Sequence, residues 1–143
     1  MSPNPSDDAI RELLTQTRTI AVVGASSSAD RSSNGVMAKL LRVGYRVIPV
    51  NPNEREVLGQ PAVARLADIA EPVDLVDVFR RPEHTPAIAR EAVAIGARAL
   101  WLQQGVINEE AATIARTGGL VVVQDACIAV LHAVLRVARP SSG

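Results

Sequence analysis

The stretch Thr19-Ile-Ala-Val-Val-Gly24 constrains the fold more than any other. Its first five residues are β-rich and lack the polar alternation of a half-exposed strand, so they predict a strand covered on both faces. Gly24 breaks the run. A loop of small and hydroxyl residues follows, A-S-S-S-A-D-R-S-S, and then Asn34-Gly35 and the apolar-periodic V-M-A-K-L-L-R-V. The order is strand, tight loop, helix. Such a loop gathers backbone N–H groups and a helix N-terminus at one point, which suits an anion such as phosphate. Serines are also common helix caps, so this stretch alone leaves phosphate binding and simple capping both open.

The same unit recurs along the chain. Ser6 or Asp7 caps an amphipathic helix that runs to about Arg18. Further apolar strands are predicted at Arg46–Val50, Val73–Phe79, Ala99–Leu102 and Leu120–Val123. Helices are predicted at about Asn34–Val43, Glu83–Ile95, Asn108–Thr117 and Cys127–Ala138. Glycines (Gly44, Gly96, Gly118-Gly119) follow three of the helices, and polar residues follow the strands. Glu54–Ala64 reads as irregular, with a short helical turn at Ala67–Ala70. The expected organisation is an N-terminal helix over residues 1–18 packed on the domain, a Rossmann-like domain over 19–138 and a flexible tail over 139–143.

Alternation of this kind predicts an α/β fold, a doubly wound parallel five-stranded sheet with helices on both faces and right-handed crossovers. The strand order expected is 3-2-1-4-5, with the switch point between strands 1 and 4. Ligands of such sheets bind beyond the carboxyl ends of the strands. The polar clusters falling there are Gly24 to Ser28, Asn51-Pro52, Phe79-Arg80-Arg81 and Gln103-Gln104-Gly105.

Composition narrows the partners. The formal net charge is zero and aromatic residues make up 2% of the chain, which removes both the basic footprint and the stacking surface of a nucleic-acid binder. The one cysteine, Cys127, excludes an internal disulfide and a cysteine-built metal site. No apolar run approaches membrane-spanning length, and no leader is evident. The expectation is a cytoplasmic protein without membrane or nucleic-acid partners.

A dinucleotide fingerprint would read G-x-G-x-x-G, with an acid about 20 residues on. Here the loop is G-A-S-S-S-A, and the second strand ends in Asn51-Pro52, with Glu54 beyond the turn. An NAD(P)-linked oxidoreductase is therefore disfavoured, though a nucleotide is not. Arg80 and Arg81 can grip phosphate oxygens bidentately, and Phe79 offers a ring for adenine. Arg31 is a third basic candidate. Trp101 lies within a strand and reads as core, whereas Gln103, two residues on, is the better ligand contact. The nucleophile elbow G-x-S-x-G lacks its second glycine. Cys127 opens the last helix, where a thiol pKa can fall, but a buried structural cysteine is the simpler reading. His84 and His132 are isolated, and no cluster has metal-ligand spacing.

Together, V-V-G-A-S, R-S-S-N-G-V-M, G-Y-R-V-I-P-V-N-P, V-D-L-V-D-V-F-R-R-P-E, W-L-Q-Q-G-V-I-N-E-E-A and V-V-V-Q-D-A-C-I resemble the small stand-alone CoA-binding proteins. Their domain is similar to the N-terminal CoA-binding domain of the succinyl-CoA synthetase alpha subunit. The resemblance spans Ile20 to Ala129. It implies a Rossmann-like domain that binds coenzyme A or an acyl-CoA. Gly24, Ala25 and Ser26, with Ser28 and Arg31 in the same loop, would meet the phosphates. Asn51 and Pro52, with Phe79, Arg80 and Arg81, would line the nucleotide part. Trp101 to Gln103 falls where the synthetase domain also contacts CoA.

The synthetase loop is richer in glycine than the serine loop here. The synthetase also uses a second domain with a phosphorylated histidine and a nucleotide-binding partner subunit, neither of which this sequence matches. The resemblance thus implies a binding module, not complete ligase machinery. Two alternatives stay open: an NAD(P)-dependent oxidoreductase on the same fold, and a thiol-based CoA or redox role through Cys127. A homodimer or an unidentified protein partner also stays open.

Overall fold

The computed structural model describes residues 3–138. The tail expected at 139–143 lies outside the described residues, as do the first two residues of the chain.

Five parallel strands form the main sheet: β1 (Thr19–Val23), β2 (Arg46–Val50), β5 (Leu75–Val78), β6 (Ala99–Leu102) and β7 (Val121–Val123). A small antiparallel hairpin, β3 (Glu56–Val57) and β4 (Gln60–Pro61), occupies the segment read as irregular. The strands are apolar, apart from Arg46 and Thr19 at their starts and the buried Asp77 in β5, because both sheet faces are covered. Ala21, Val23, Val76, Val78, Leu100 and Leu102 pack on one face against α3 (Thr85–Ala94) and α4 (Glu109–Thr117). Ile20, Val22, Leu75, Ala99 and Trp101 pack on the other against α1 (Asp7–Gln16), α2 (Ser32–Arg42) and α5 (Ile128–Val134). Adjacent residues of one strand thus serve opposite cores, as a period of two requires.

Local sequence explains the helix starts. Ser6 caps α1 by accepting from the Ala9 N–H at 3.2 Å, and Asn108 caps α4 by accepting from the Ala111 N–H at 2.9 Å. Pro82 opens a 3₁₀ turn, Pro82–His84, that leads into α3. No side chain caps α2, whose first turn follows directly on the serine loop and carries no acid.

The doubly wound class holds, but the strand order is corrected. The sheet runs β2-β1-β5-β6-β7. Counted over the five long strands this is 2-1-3-4-5 instead of 3-2-1-4-5. Periodicity fixes each strand's length and type, not the neighbour it chooses. The choice is made at the start of β5, where the Asp74 carboxylate accepts from the Arg18 and Thr19 N–H groups at 3.0 Å each. That pins the third long strand beside β1. The outer edge of β2 is instead covered by the return of the chain through Val63, which bridges Val50 in parallel. The switch point therefore lies between β1 and β5.

The ends of β1 and β5 approach closely there. Gly24 has φ +87°, and a Cβ on it would stand 2.3 Å from the Phe79 carbonyl oxygen. Both the dihedral and the space demand glycine. Gly24→Ala is expected to lower unfolding stability by about 3 kcal/mol, read as a shifted urea midpoint. A midpoint within error of the parent would show that the two strand ends are free to separate.

Candidate functional site

Two clefts open at the carboxyl edge of the sheet, and Arg80 lines both. The first, of about 610 Å³, lies between the ends of β1 and β2 and the flank of α3. Gly24, Asn51, Pro52, Arg65, Arg80 and Glu91 contribute to its wall. The second, of about 550 Å³, lies between the start of α2 and the ends of β5 and β6. Phe79, Arg80, Arg81, Gln103 and Cys127 line it, with Val36 and Val106 as apolar wall. The first cleft borders helix α3 on one face of the sheet. The second borders α2 and the start of α5 on the other. Between them is the saddle where Gly24 meets Phe79.

The serine loop is held by its own contacts. Asn51 Nδ2 donates to the Ala25 carbonyl at 2.8 Å, and Asn34 Nδ2 donates to the Ser26 carbonyl at 3.0 Å. Ser26 Oγ accepts from the Ser28 N–H at 3.1 Å. The Ser28 hydroxyl donates to Asp30, and this bond holds the Asp30 carboxyl below its ordinary range. Glu54 is not remote, as its place beyond the turn suggests. Its carboxylate accepts from the Ser27 N–H at 2.7 Å and from the Ser27 hydroxyl at 2.9 Å. The hydroxyls of Ser27 and Ser28 are exposed but already engaged with carboxylates of the same chain. The free features near the loop are the uncapped first turn of α2 and the guanidinium groups of Arg80 and Arg81, which make no ion pair among the described residues.

This geometry suits a long ligand with an anionic middle, one end in each cleft. A comparison of the sequence with family models decides which family has it: the model described as a CoA binding domain matches residues 18–133. The chain belongs to this family of CoA-binding domains. Among curated proteins, the uncharacterized protein YneT of Bacillus subtilis (strain 168) is 44% identical over 133 residues, which is 93% of this chain and 98% of that one. Acetate–CoA ligase [ADP-forming] I of Archaeoglobus fulgidus is 24% identical over 131 residues, 85% of this chain but only 19% of the ligase. Among solved structures, a hypothetical protein from Pyrococcus horikoshii OT3 superposes with a TM-score of 0.91 at 37% identity, covering 95% of this chain and 98% of that one.

In this CoA-binding domain the residues singled out from sequence divide in two. Gly24, Asn51, Pro52, Phe79, Arg80, Arg81 and Gln103 line one or both clefts. Ala25, Ser26, Ser28, Arg31 and Trp101 line neither. Ala25 is buried beneath the loop, and Trp101 is wholly buried with its indole N–H donating to the Ala126 carbonyl at 2.8 Å. Trp101 faces the α1/α2/α5 core, as its mid-strand place demands. Arg31 is exposed at the entry to α2. Sequence reading missed Arg65, Asn53 and Glu91. Asn53 adjoins the predicted Asn51-Pro52, whereas the segments of Arg65 and Glu91 carry no motif, and only the crossover past β2 and the packing of α3 bring those two to the first cleft. Among the described residues no group of three or more His, Cys, Asp or Glu side chains could hold a metal ion, and no helix is long and apolar enough to cross a membrane.

Two buried titratable groups sit near the second cleft's side of the sheet. Burial pushes the Asp77 carboxyl up to about 8, opposed by the bond from Gln103. His132 packs edge-on against Tyr45, with ring centroids 5.7 Å apart. Burial, aided by Lys39, lowers its pKa. Folded Asp77 keeps its proton from the ordinary carboxylate range up to about pH 8, where the unfolded chain has lost it. Stability therefore falls as pH rises through that window. His132 acts at the acid end: it stays neutral when folded, so stability falls as pH drops below 6.5, its ordinary value. Above pH 6.5 the His132 contribution fades, and toward pH 8 Asp77 is the one of this pair that titrates differently in the two states. The unfolding free energy is expected to fall over that range by at most about 1.4 kcal/mol per pH unit, read as a falling melting temperature. Asp77→Asn should flatten the profile. An equal fall in the variant would mean the carboxyl is already ionised in the folded protein.

Proposed function

We propose that this protein binds coenzyme A, free or as an acyl thioester, across the saddle between its two clefts. The observation that carries the reading is the shared position of Arg80. Coenzyme A has a phosphorylated nucleoside at one end, a pyrophosphate in the middle and a thiol-bearing arm at the other. The nucleoside fits the first cleft, where Asn53, Arg65 and Arg80 supply polar groups. The pyrophosphate lies at the saddle, beside the first turn of α2 and within the field of Arg80 and Arg81. The arm enters the second cleft, past Phe79 toward Gln103 and Cys127. Gly24 permits the close backbone approach that such a crossing needs. Asn51 acts through the loop it ties to β2, not through a free amide. Family membership and the acetate–CoA ligase relative support the ligand class.

The NAD(P) reading has less support. Position 51, just after β2, is where an acid would hold ribose hydroxyls, and its amide is engaged with the loop. The thiol reading is favoured by one observation, the place of Cys127 in the wall of the second cleft. In that reading the Cys127 thiolate attacks the disulfide of oxidised CoA, forms a protein–CoA disulfide and releases one CoA thiolate.

Calorimetric titration with CoA, dephospho-CoA and NAD tests the proposal. CoA is expected to bind, and Arg80→Ala to weaken it about tenfold or more, the loss of a charge-assisted bond. Weaker binding of dephospho-CoA would place a 3′-phosphate contact on the arginines. Binding of NAD with none of CoA would overturn the assignment. For the thiol reading, incubation with CoA disulfide followed by intact-mass measurement should add one CoA to the wild type and none to Cys127→Ser. An unmodified wild type would exclude it.

A further inference from the structure

The second cleft has a polar component that the ligand reading leaves unexplained. Gln103 follows the last residue of β6 and is 5% exposed, yet it contributes to the cleft wall. Its Nε2 donates to Asp77 Oδ1. Asp77 lies inside β5, the central strand of the sheet, between Val22 and Trp101 in register. It is fully buried, and its Oδ2 has no hydrogen-bond partner among the described residues.

Packing does not ask for a carboxyl there. The neighbouring residues on that face are Leu75, Val22 and Trp101, and an aliphatic residue would fill the site without a buried polar atom. What the carboxyl does provide is a fixed partner for Gln103. A glutamine side chain has three rotatable bonds, and unanchored it would present its amide to a ligand in many ways. The bond to Asp77 commits the nitrogen end inward. The carboxamide oxygen makes no hydrogen bond among the described residues and is the acceptor left for the cleft. The other hydrogen-bonding side chains of this wall, Ser32, Arg80, Arg81 and Gln104, are exposed, whereas Gln103 is buried and fixed beside Phe79, Val36, Pro82 and Val106.

We propose that Asp77 is a positioning residue that holds Gln103 as the amide-reading group of the second cleft, an acceptor for a secondary-amide N–H in the ligand's arm. This rests on the coenzyme A reading, since that arm carries two secondary amides. An amide N–H entering an apolar wall loses its water, and a pre-oriented acceptor restores the bond without the entropy of ordering a free side chain.

The test is calorimetric titration of wild type, Gln103→Leu, Asp77→Val and Asp77→Asn with two ligands. One is coenzyme A. The other is adenosine 3′,5′-bisphosphate, which keeps the nucleotide and lacks the arm. Gln103→Leu is expected to weaken coenzyme A about tenfold and to leave the bisphosphate within about twofold. Asp77→Val should reproduce that selective loss although Gln103 is intact. Asp77→Asn, which still offers an oxygen to Nε2, should recover most of it. Gln103→Leu alters a residue beyond the strand end, and Asp77→Asn is isosteric, so the comparison survives if Asp77→Val does not fold. Unchanged coenzyme A affinity in Gln103→Leu, or equal losses for both ligands, would overturn the role of the pair while the coenzyme A reading stands. Normal coenzyme A affinity in a folded Asp77→Val would reduce Asp77 to a packing residue. Failure of the wild type to bind either ligand would remove both readings.

Discussion

The contact on which the site depends is the approach of Gly24 to the Phe79 carbonyl, too close for any β-carbon. It joins the ends of β1 and β5, the strands between which the chain reverses its direction of travel across the sheet. The Gly24 N–H also donates to the Val50 carbonyl at 3.0 Å, so one residue ties three strand ends together. Spread these ends by the width of a methyl group and the saddle between the clefts changes shape. The serine loop, the start of α2 and the two arginines are all placed relative to that point.

Around it, charge is arranged locally although the whole chain is neutral. Arg80 and Arg81 stand without ion-pair partners among the described residues, while Arg11, Arg46 and Arg90 are paired elsewhere on the surface. Acids are present too: Glu54 closes on Ser27, and Asp30 on Ser28. The serine loop is therefore not an open nest of donors. An anion arriving at the saddle meets guanidinium groups and a helix terminus, with carboxylates already occupying some of the loop's own hydrogen bonds.

The strands were legible because burial on both faces leaves a simple mark, an apolar run with a hard stop. Ala99–Leu102 and Arg46–Val50 match to the residue. The Asn108 cap was equally plain, and the first helix had two candidates, Ser6 and Asp7, of which Ser6 is the cap. The strand order was not, because the bond that decides it joins Asp74 to backbone atoms 55 and 56 residues away, and a carboxylate in sequence does not disclose which N–H it will accept. The candidate site divides on similar lines. Residues that end strands, such as Arg80 and Gln103, reach the clefts because topology sends strand ends there. Ser28 and Trp101 do not, since one hydroxyl turns to a neighbouring acid and the indole belongs to the core. Arg65 and Glu91 needed the third dimension.

The start of the chain is fastened to its far end. Asn4 Nδ2 donates to the Gln124 carbonyl, and the Gln124 N–H returns the bond to Asn4 Oδ1, both at 2.8 Å. Arg11 reaches the Leu135 carbonyl at 2.8 Å. These partners lie 120 and 124 residues apart in sequence. The α1/α2/α5 layer is therefore closed by contacts of long sequence separation, whose loop-closure entropy has to be met before they form. The α3/α4 layer joins helices separated by a single strand, so its contacts are more local.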